Sequence, residues 1–197
     1  MNENILVEDD GFGSVVEREA KLKELILLIA IRSEGDEPFG MVKLNKLLFY
    51  SDFSAYVQFG KPITGQEYQA LPQGPAPRRM KPVLDAMKAD GEIAIRVHDY
   101  YGRDQQRTFA QRMPDTSRFK FEETELVDRI IKEFWGKDAA TISQMSHQFI
   151  GWKLAGMGET IPYCVALVDS REPTAEETKR GLALEAAALE SLAESAA

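Results

Sequence analysis

The chain holds a single cysteine, Cys164, so no disulfide can form within it, and that usage fits a reducing compartment. Histidine is nearly as scarce, with only His98 and His147. A structural zinc site needs three or four convergent ligands in closely spaced pairs, so none is expected. The first ten residues, MNENILVEDD, lack the basic start and apolar run of an export signal. The longest unbroken apolar stretch, Leu25 to Ile31, is too short to cross a bilayer. These shortages predict a soluble cytoplasmic protein with no membrane partner. Positive charge is also in deficit: 24 Lys+Arg stand against 32 Asp+Glu, a net charge of −8, and the bulk of such a chain repels DNA.

What is present is ordinary globular material. The chain has 197 residues, 44% of them apolar and 28% charged, which excludes a fully disordered protein. That length suits one domain with an appendage, or at most two small domains, able to fold without metal or disulfide.

Periodicity predicts the elements. Residues 1–15 read as an acidic flexible arm, carrying Glu3, Glu8, Asp9 and Asp10. Leu22, Leu25, Ile26 and Ile29 make one buried stripe of a helix over 17–33. A second helix over 41–59 is apolar on most sides, with Leu44, Leu47, Leu48, Phe49, Phe53 and Val57, and belongs at the centre of a fold. Gly60, Pro62, Gly65, Pro72, Gly74, Pro75 and Pro77 then forbid a helix and leave one short strand over 66–71. Connections this long are often functional.

A helix over 78–89 follows, then alternating strands over 93–97 and 106–112 joined by a polar turn. With the 66–71 strand these predict a three-stranded antiparallel sheet. Helices are expected over 122–135 and 142–155, whereas 161–168 is too short to assign. Thr174 to Glu177 forms a capping box that opens an Ala/Glu-rich helix to about residue 192. The expected fold is α+β, a mainly helical single domain of about six helices with that small sheet. Its body spans 16–170, and 171–197 forms a C-terminal helix and tail.

Catalytic motifs are missing. There is no G-x-S-x-G elbow and no phosphate-binding loop. Gly156-Met157-Gly158 starts like a dinucleotide fingerprint, but Ile161 stands where the third glycine belongs, so it reads as a helix terminator. Cys164, within the apolar run 163–168, is expected to be buried and inert. His98 should face solvent. His147, near Ser143, Ser146 and Trp152 on one helix, reads as a structural histidine rather than a base. No catalytic residue, cofactor or metal is therefore assigned. Segment 75–112 is locally basic, with eight Lys or Arg against five acids. Its helix–hairpin order resembles a winged helix, so a DNA-binding repressor is the alternative.

One resemblance goes further. Lys43-Leu44-Asn45-Lys46-Leu47-Leu48-Phe49-Tyr50-Ser51-Asp52, followed by Gly60-Lys61-Pro62-Ile63-Thr64-Gly65, is similar to the signature of the Panacea, or SocA-like, antitoxin domain. Tyr68, Leu71, Gly74 and Pro75 fill its later positions, with Leu84 and Gly91 at the following helix and turn. Ser146-His147, Trp152 and Ile161-Pro162-Tyr163 resemble its closing motifs, so the likeness runs from about Leu22 to Leu167. The resemblance implies a mainly helical domain that binds and neutralises a cognate protein toxin, with delivery to a ClpXP-type protease as one mode. An acidic antitoxin would gain association rate towards a basic toxin.

The expected toxin-binding residues are Tyr68, Leu71, Gly74, Pro75, Arg78 and Arg79, because aromatic and arginine anchors dominate most interfaces. Burial of Tyr68 and Leu71 in the sheet is the competing expectation. The terminal Ala196-Ala197 resembles a ClpXP degradation tag, and small-residue tails also occur simply as frayed ends.

Overall fold

The computed structural model describes residues 12–168 and 174–195, with the side chains of the last helix described over 174–185 and at Leu189. Within these residues the order is α1 (Val15–Arg32), α2 (Met41–Phe59), β1 (Tyr68–Gln69), β2 (Ala76–Pro77), α3 (Met80–Ala89), β3 (Ile93–Tyr100), β4 (Arg103–Ala110), α4 (Phe121–Phe134), α5 (Ala139–Ser146), α6 (Ile150–Leu154), β5 (Thr160–Ile161) and α7 (Ala175–Ser195). Short 3-10 turns cover Thr116–Arg118 and Tyr163–Leu167. The α+β class, dominated by helix, is as the periodicity predicted.

Helix α1 starts at a complete capping box, with Ser14 and Glu17 bonding each other's backbone N–H. Its Leu22, Leu25, Ile26, Leu27 and Ile29 are fully buried, each such side chain stabilising the fold by roughly 1.5–3 kcal/mol. Helix α2 matches its predicted bounds and closes on Gly60 in the left-handed conformation, φ 74°. It contacts α1, α4, α5, β2 and the Tyr163–Leu167 turn, the central position that an apolar surface on most sides requires.

Two apolar clusters result. The larger joins α1, α2, α3 and α4 through residues such as Leu44, Leu48, Val83, Ile130 and Phe134. The smaller is aromatic: Phe49, Phe53 and Tyr68 pack with Phe149, Trp152 and Tyr163. Phe12, within the stretch expected to be a flexible arm, sets its ring edge-on to Tyr56 and Tyr163. Residues 1–11 of that arm lie outside the described residues.

The sheets differ from expectation in membership. The three-stranded sheet has the order β2-β1-β5, pairing Tyr68 with both Pro77 and Ile161. The 93–100 and 103–110 strands instead form a separate hairpin, β3-β4. The Gly/Pro stretch therefore folds back on itself and takes its third strand from residue 160, a choice that local alternation does not record. The predicted 142–155 helix is also split, because the chain turns at His147–Phe149 between α5 and α6. Cys164 is exposed, not buried. Its turn packs Tyr163, Val165 and Ala166 against the aromatic cluster and leaves Cys164 on the outer side.

Candidate functional site

Helix α2 and the loop after it carry the charged and polar residues of the signature, and the structure spends them internally. Asp52 is fully buried and accepts from the Thr64 backbone N–H at 2.6 Å, from the Thr64 hydroxyl and from the Tyr68 hydroxyl at 2.8 Å. Burial raises its pKa against the opposing pull of these donors. Burial and the Asp52 charge likewise push the Tyr68 phenol well up. One carboxyl thus pins the Pro62–Gly65 bend and β1 to α2.

Lys43 bridges two other segments. Its ammonium meets the Asp36 carboxylate at 2.5 Å and donates to the Lys137 carbonyl at 2.9 Å. Asp36 also accepts from the Gly136 N–H at 2.9 Å. Lys46 is 1% exposed and donates to the Pro75 carbonyl at 2.7 Å. Removal from water lowers its pKa to about 7. Gly74, at φ 91°, lets the loop close over it: a Cβ there would lie 2.8 Å from Lys46 Cε and inside the Ser146 hydroxyl.

The six expected contact residues separate into two groups. Tyr68, Gly74 and Pro75 are buried and Leu71 is half-buried, whereas Arg78 and Arg79 are exposed. Tyr68 is held by Asp52 and packs edge-on to Phe49 and Phe53. The Leu71 carbonyl accepts from the Trp152 indole at 3.0 Å. Arg78 donates to the Gly158 carbonyl and the Thr160 hydroxyl, both at 2.9 Å, and lies 3.4 Å from Glu67. Arg79 pairs with Glu19 at 3.0 Å. Ala196 and Ala197 lie outside the described residues.

His147 caps the end of α5 and stacks on Trp152, rings 3.9 Å apart. Its Nε2 is buried without a hydrogen-bond partner among the described residues. Half of the eight cations of segment 75–112 are in ion pairs among the described residues. Beyond Arg78 and Arg79, Lys81 pairs with Asp85 at 2.6 Å, and Arg112 grips Glu24 at 2.7 Å and Glu92 at 2.6 Å. Arg107 is buried and donates to the carbonyls of Glu34, Asp36 and Glu37. Arg107, held inside the fold, is not available to phosphates, whereas Lys88, Arg96 and Arg103 are exposed with no ion pair among the described residues.

Residue reading missed one site. A cleft of about 720 Å³ lies between the tip of the β3-β4 hairpin and the starts of α2 and α5, lined by Met41, Val42, Tyr100, Tyr101, Arg103 and Asp104 among others. The signal available beforehand was Tyr100-Tyr101-Gly102, an aromatic pair in a polar turn.

The signature charges of α2 thus lock a Gly/Pro loop onto a helical scaffold that carries clefts at its surface. Comparison with protein-family models matches residues 44–153 to the antitoxin SocA-like, Panacea domain. The chain belongs to that family. Lys43 with its Asp36 partner, and Ile161-Pro162-Tyr163, fall outside the matched span. No curated protein and no solved structure matches the chain. Among the described residues, no helix is long and apolar enough to cross a membrane.

Proposed function

We propose that this antitoxin-family chain neutralises a cognate protein toxin by direct, stoichiometric contact in the cytoplasm. Family membership over 44–153 is the observation that carries this reading. The internal use of Lys43, Lys46 and Asp52 supports it, because a locked loop loses little conformational freedom when a partner docks. The net charge of −8 favours a basic partner through electrostatic steering.

Of the expected contacts, Leu71, Arg78 and Arg79 are the accessible ones, and they form the proposed face around the 66–79 loop. Tyr68, Gly74 and Pro75 support it from behind. Co-expression with each small protein found encoded beside this chain, screened first for toxicity, is the test. Rescue of growth and co-purification are expected, and Arg78→Glu with Arg79→Glu should weaken both. Unimpaired rescue by that double variant removes the face, and absence of any rescue removes the antitoxin reading.

Delivery of the bound toxin to a ClpXP-type protease is a further mode of the same binding, and Ala196-Ala197 is proposed separately as a degradation tag on the antitoxin itself. Changing both alanines to Asp should lengthen the cellular half-life of the chain, and an unchanged decay rejects the tag. A steep loss of duplex DNA binding with salt would favour the repressor reading instead. The internal pairing of Arg107 and Arg112 argues against that outcome.

A further inference from the structure

The β3-β4 hairpin carries costs that the chain itself does not relieve. Tyr101 is the one described non-glycine residue at positive φ, 52°, followed by Gly102 at 74°. Two such residues make the tight turn that favours Asn-Gly, and a tyrosine in the first position is disfavoured. Its ring is 80% exposed and stands edge-on to Tyr100, centroids 4.8 Å apart. Directly below, Asp99 faces Asp104 across the two strands. Like charges directly opposite in an antiparallel pair repel. Both carboxylates are exposed, and neither has an ion pair within 4 Å among the described residues.

Tyr100, Tyr101 and Asp104 all line the 720 Å³ cleft, as does Asp138 at the start of α5. The amino end of α2 does not offset these charges at the cleft, because the Gln105 side chain covers it, with Cγ 2.7 Å from where a Gly40 Cβ would stand. Arg103 is the cleft's own cation, and the field of its charge helps hold the Asp138 carboxyl below the usual range, after the Thr141 hydrogen bonds.

We infer that this hairpin tip and cleft form a second toxin-docking surface, which takes a lysine- or arginine-bearing loop of the partner. Exposed aromatic rings attract cations over their faces, and a cation in the cleft meets the Asp104 and Asp138 carboxylates that line it and offsets the repulsion of Asp104 by Asp99. Aromatic anchors at a rigid turn are also the residue type that concentrates binding energy. The inference rests on the antitoxin reading for its partner. It places the cationic contact some distance along the chain from the 66–79 loop.

The test uses two probes on the full chain. Titration with acetyl-Gly-Arg-Gly-amide, followed by NMR of the tyrosine rings, should give a saturable shift at Tyr100 and Tyr101. The Tyr100 shift should vanish in Tyr101→Asn, both shifts should vanish in Asp99→Asn with Asp104→Asn, and Arg103→Gln should enlarge them. Asn suits the turn at position 101, so loss of the shift in that variant does not report unfolding. Toxin capture by Tyr101→Asn should weaken by roughly tenfold. An equal shift with acetyl-Gly-Gln-Gly-amide, or none with the arginine peptide, overturns the inference. Full toxin capture by Tyr101→Asn also overturns it and leaves the antitoxin reading intact. Absence of capture by the unaltered chain, with the arginine shift present, overturns the antitoxin reading and keeps the cation site.

Discussion

Helix α2 and the β3-β4 hairpin treat their charges in opposite ways. On α2, Lys43, Lys46 and Asp52 are buried, and each fastens a distant segment: the 33–40 turn with the α4–α5 connection, the Gly74-Pro75 turn, and the 62–68 bend. On the hairpin, Asp99, Arg103 and Asp104 are exposed, and none of them has an ion pair among the described residues. The difference teaches that a signature rich in charge marks architecture where partners converge on it. Charges left facing one another at a strained turn mark a surface. The first region holds the binding scaffold rigid, and the second is free to spend its charge on another molecule.

That contrast can be broken most sharply at Asp52. Asp52→Ala strands three donors in a fully buried site, so a loss of about 4 kcal/mol is expected in urea unfolding. A loss below 1 kcal/mol would show that the Asp52 brace is dispensable. Gly74→Ala comes next. It places a methyl against Lys46 and Ser146 at a positive φ, and a loss of about 2 kcal/mol or more should appear as a lower thermal midpoint.

Lys46 sharpens the comparison through pH. Its folded pKa is depressed to about 7 from 10.5, so between those values the unfolded chain binds more protons than the folded one. Stability should therefore rise with pH from about 7 towards 10.5, at up to ~1.4 kcal/mol per pH unit from this group. Below about 7 both states hold the proton, so this group's contribution levels off. Urea midpoints at pH 7 and pH 9 should separate for the unaltered chain and converge for Lys46→Met. Equal separation in both would detach the pH effect from Lys46.

The smallest effect belongs to the hairpin. Tyr101→Asn relieves an unfavourable backbone conformation while removing little buried surface. An unchanged or slightly higher stability is expected, by about 0.5 kcal/mol. A loss of more than 1 kcal/mol would make Tyr101 part of the architecture, and the contrast with α2 would fail.

Much of this was legible beforehand where the signal is local. The bounds of α2, the Thr174–Glu177 capping box and the apolar stripe of α1 follow from side-chain period and cap chemistry within one or two turns. The resemblance carried by the 43–52 and 60–65 motifs pointed to the family that the 44–153 match identifies. Burial of Tyr68 was one of two open expectations, and its hydroxyl's bond to Asp52 on another element decides it. Two features were not legible. Strand β1 takes β5, some ninety residues later, in place of the hairpin, because two-residue strands leave no alternation to read. Cys164 is outside, because its neighbours on the turn fill the aromatic cluster.

Composition and period alone determined a mainly helical α+β chain built around one helix apolar on most sides, and the order of motifs determined its family. Only the tertiary structure decided which charges are interior. Helical period is a property of neighbours along the chain, whereas the cost of burying a lysine or an aspartate depends on acceptors and donors that distant segments bring to it.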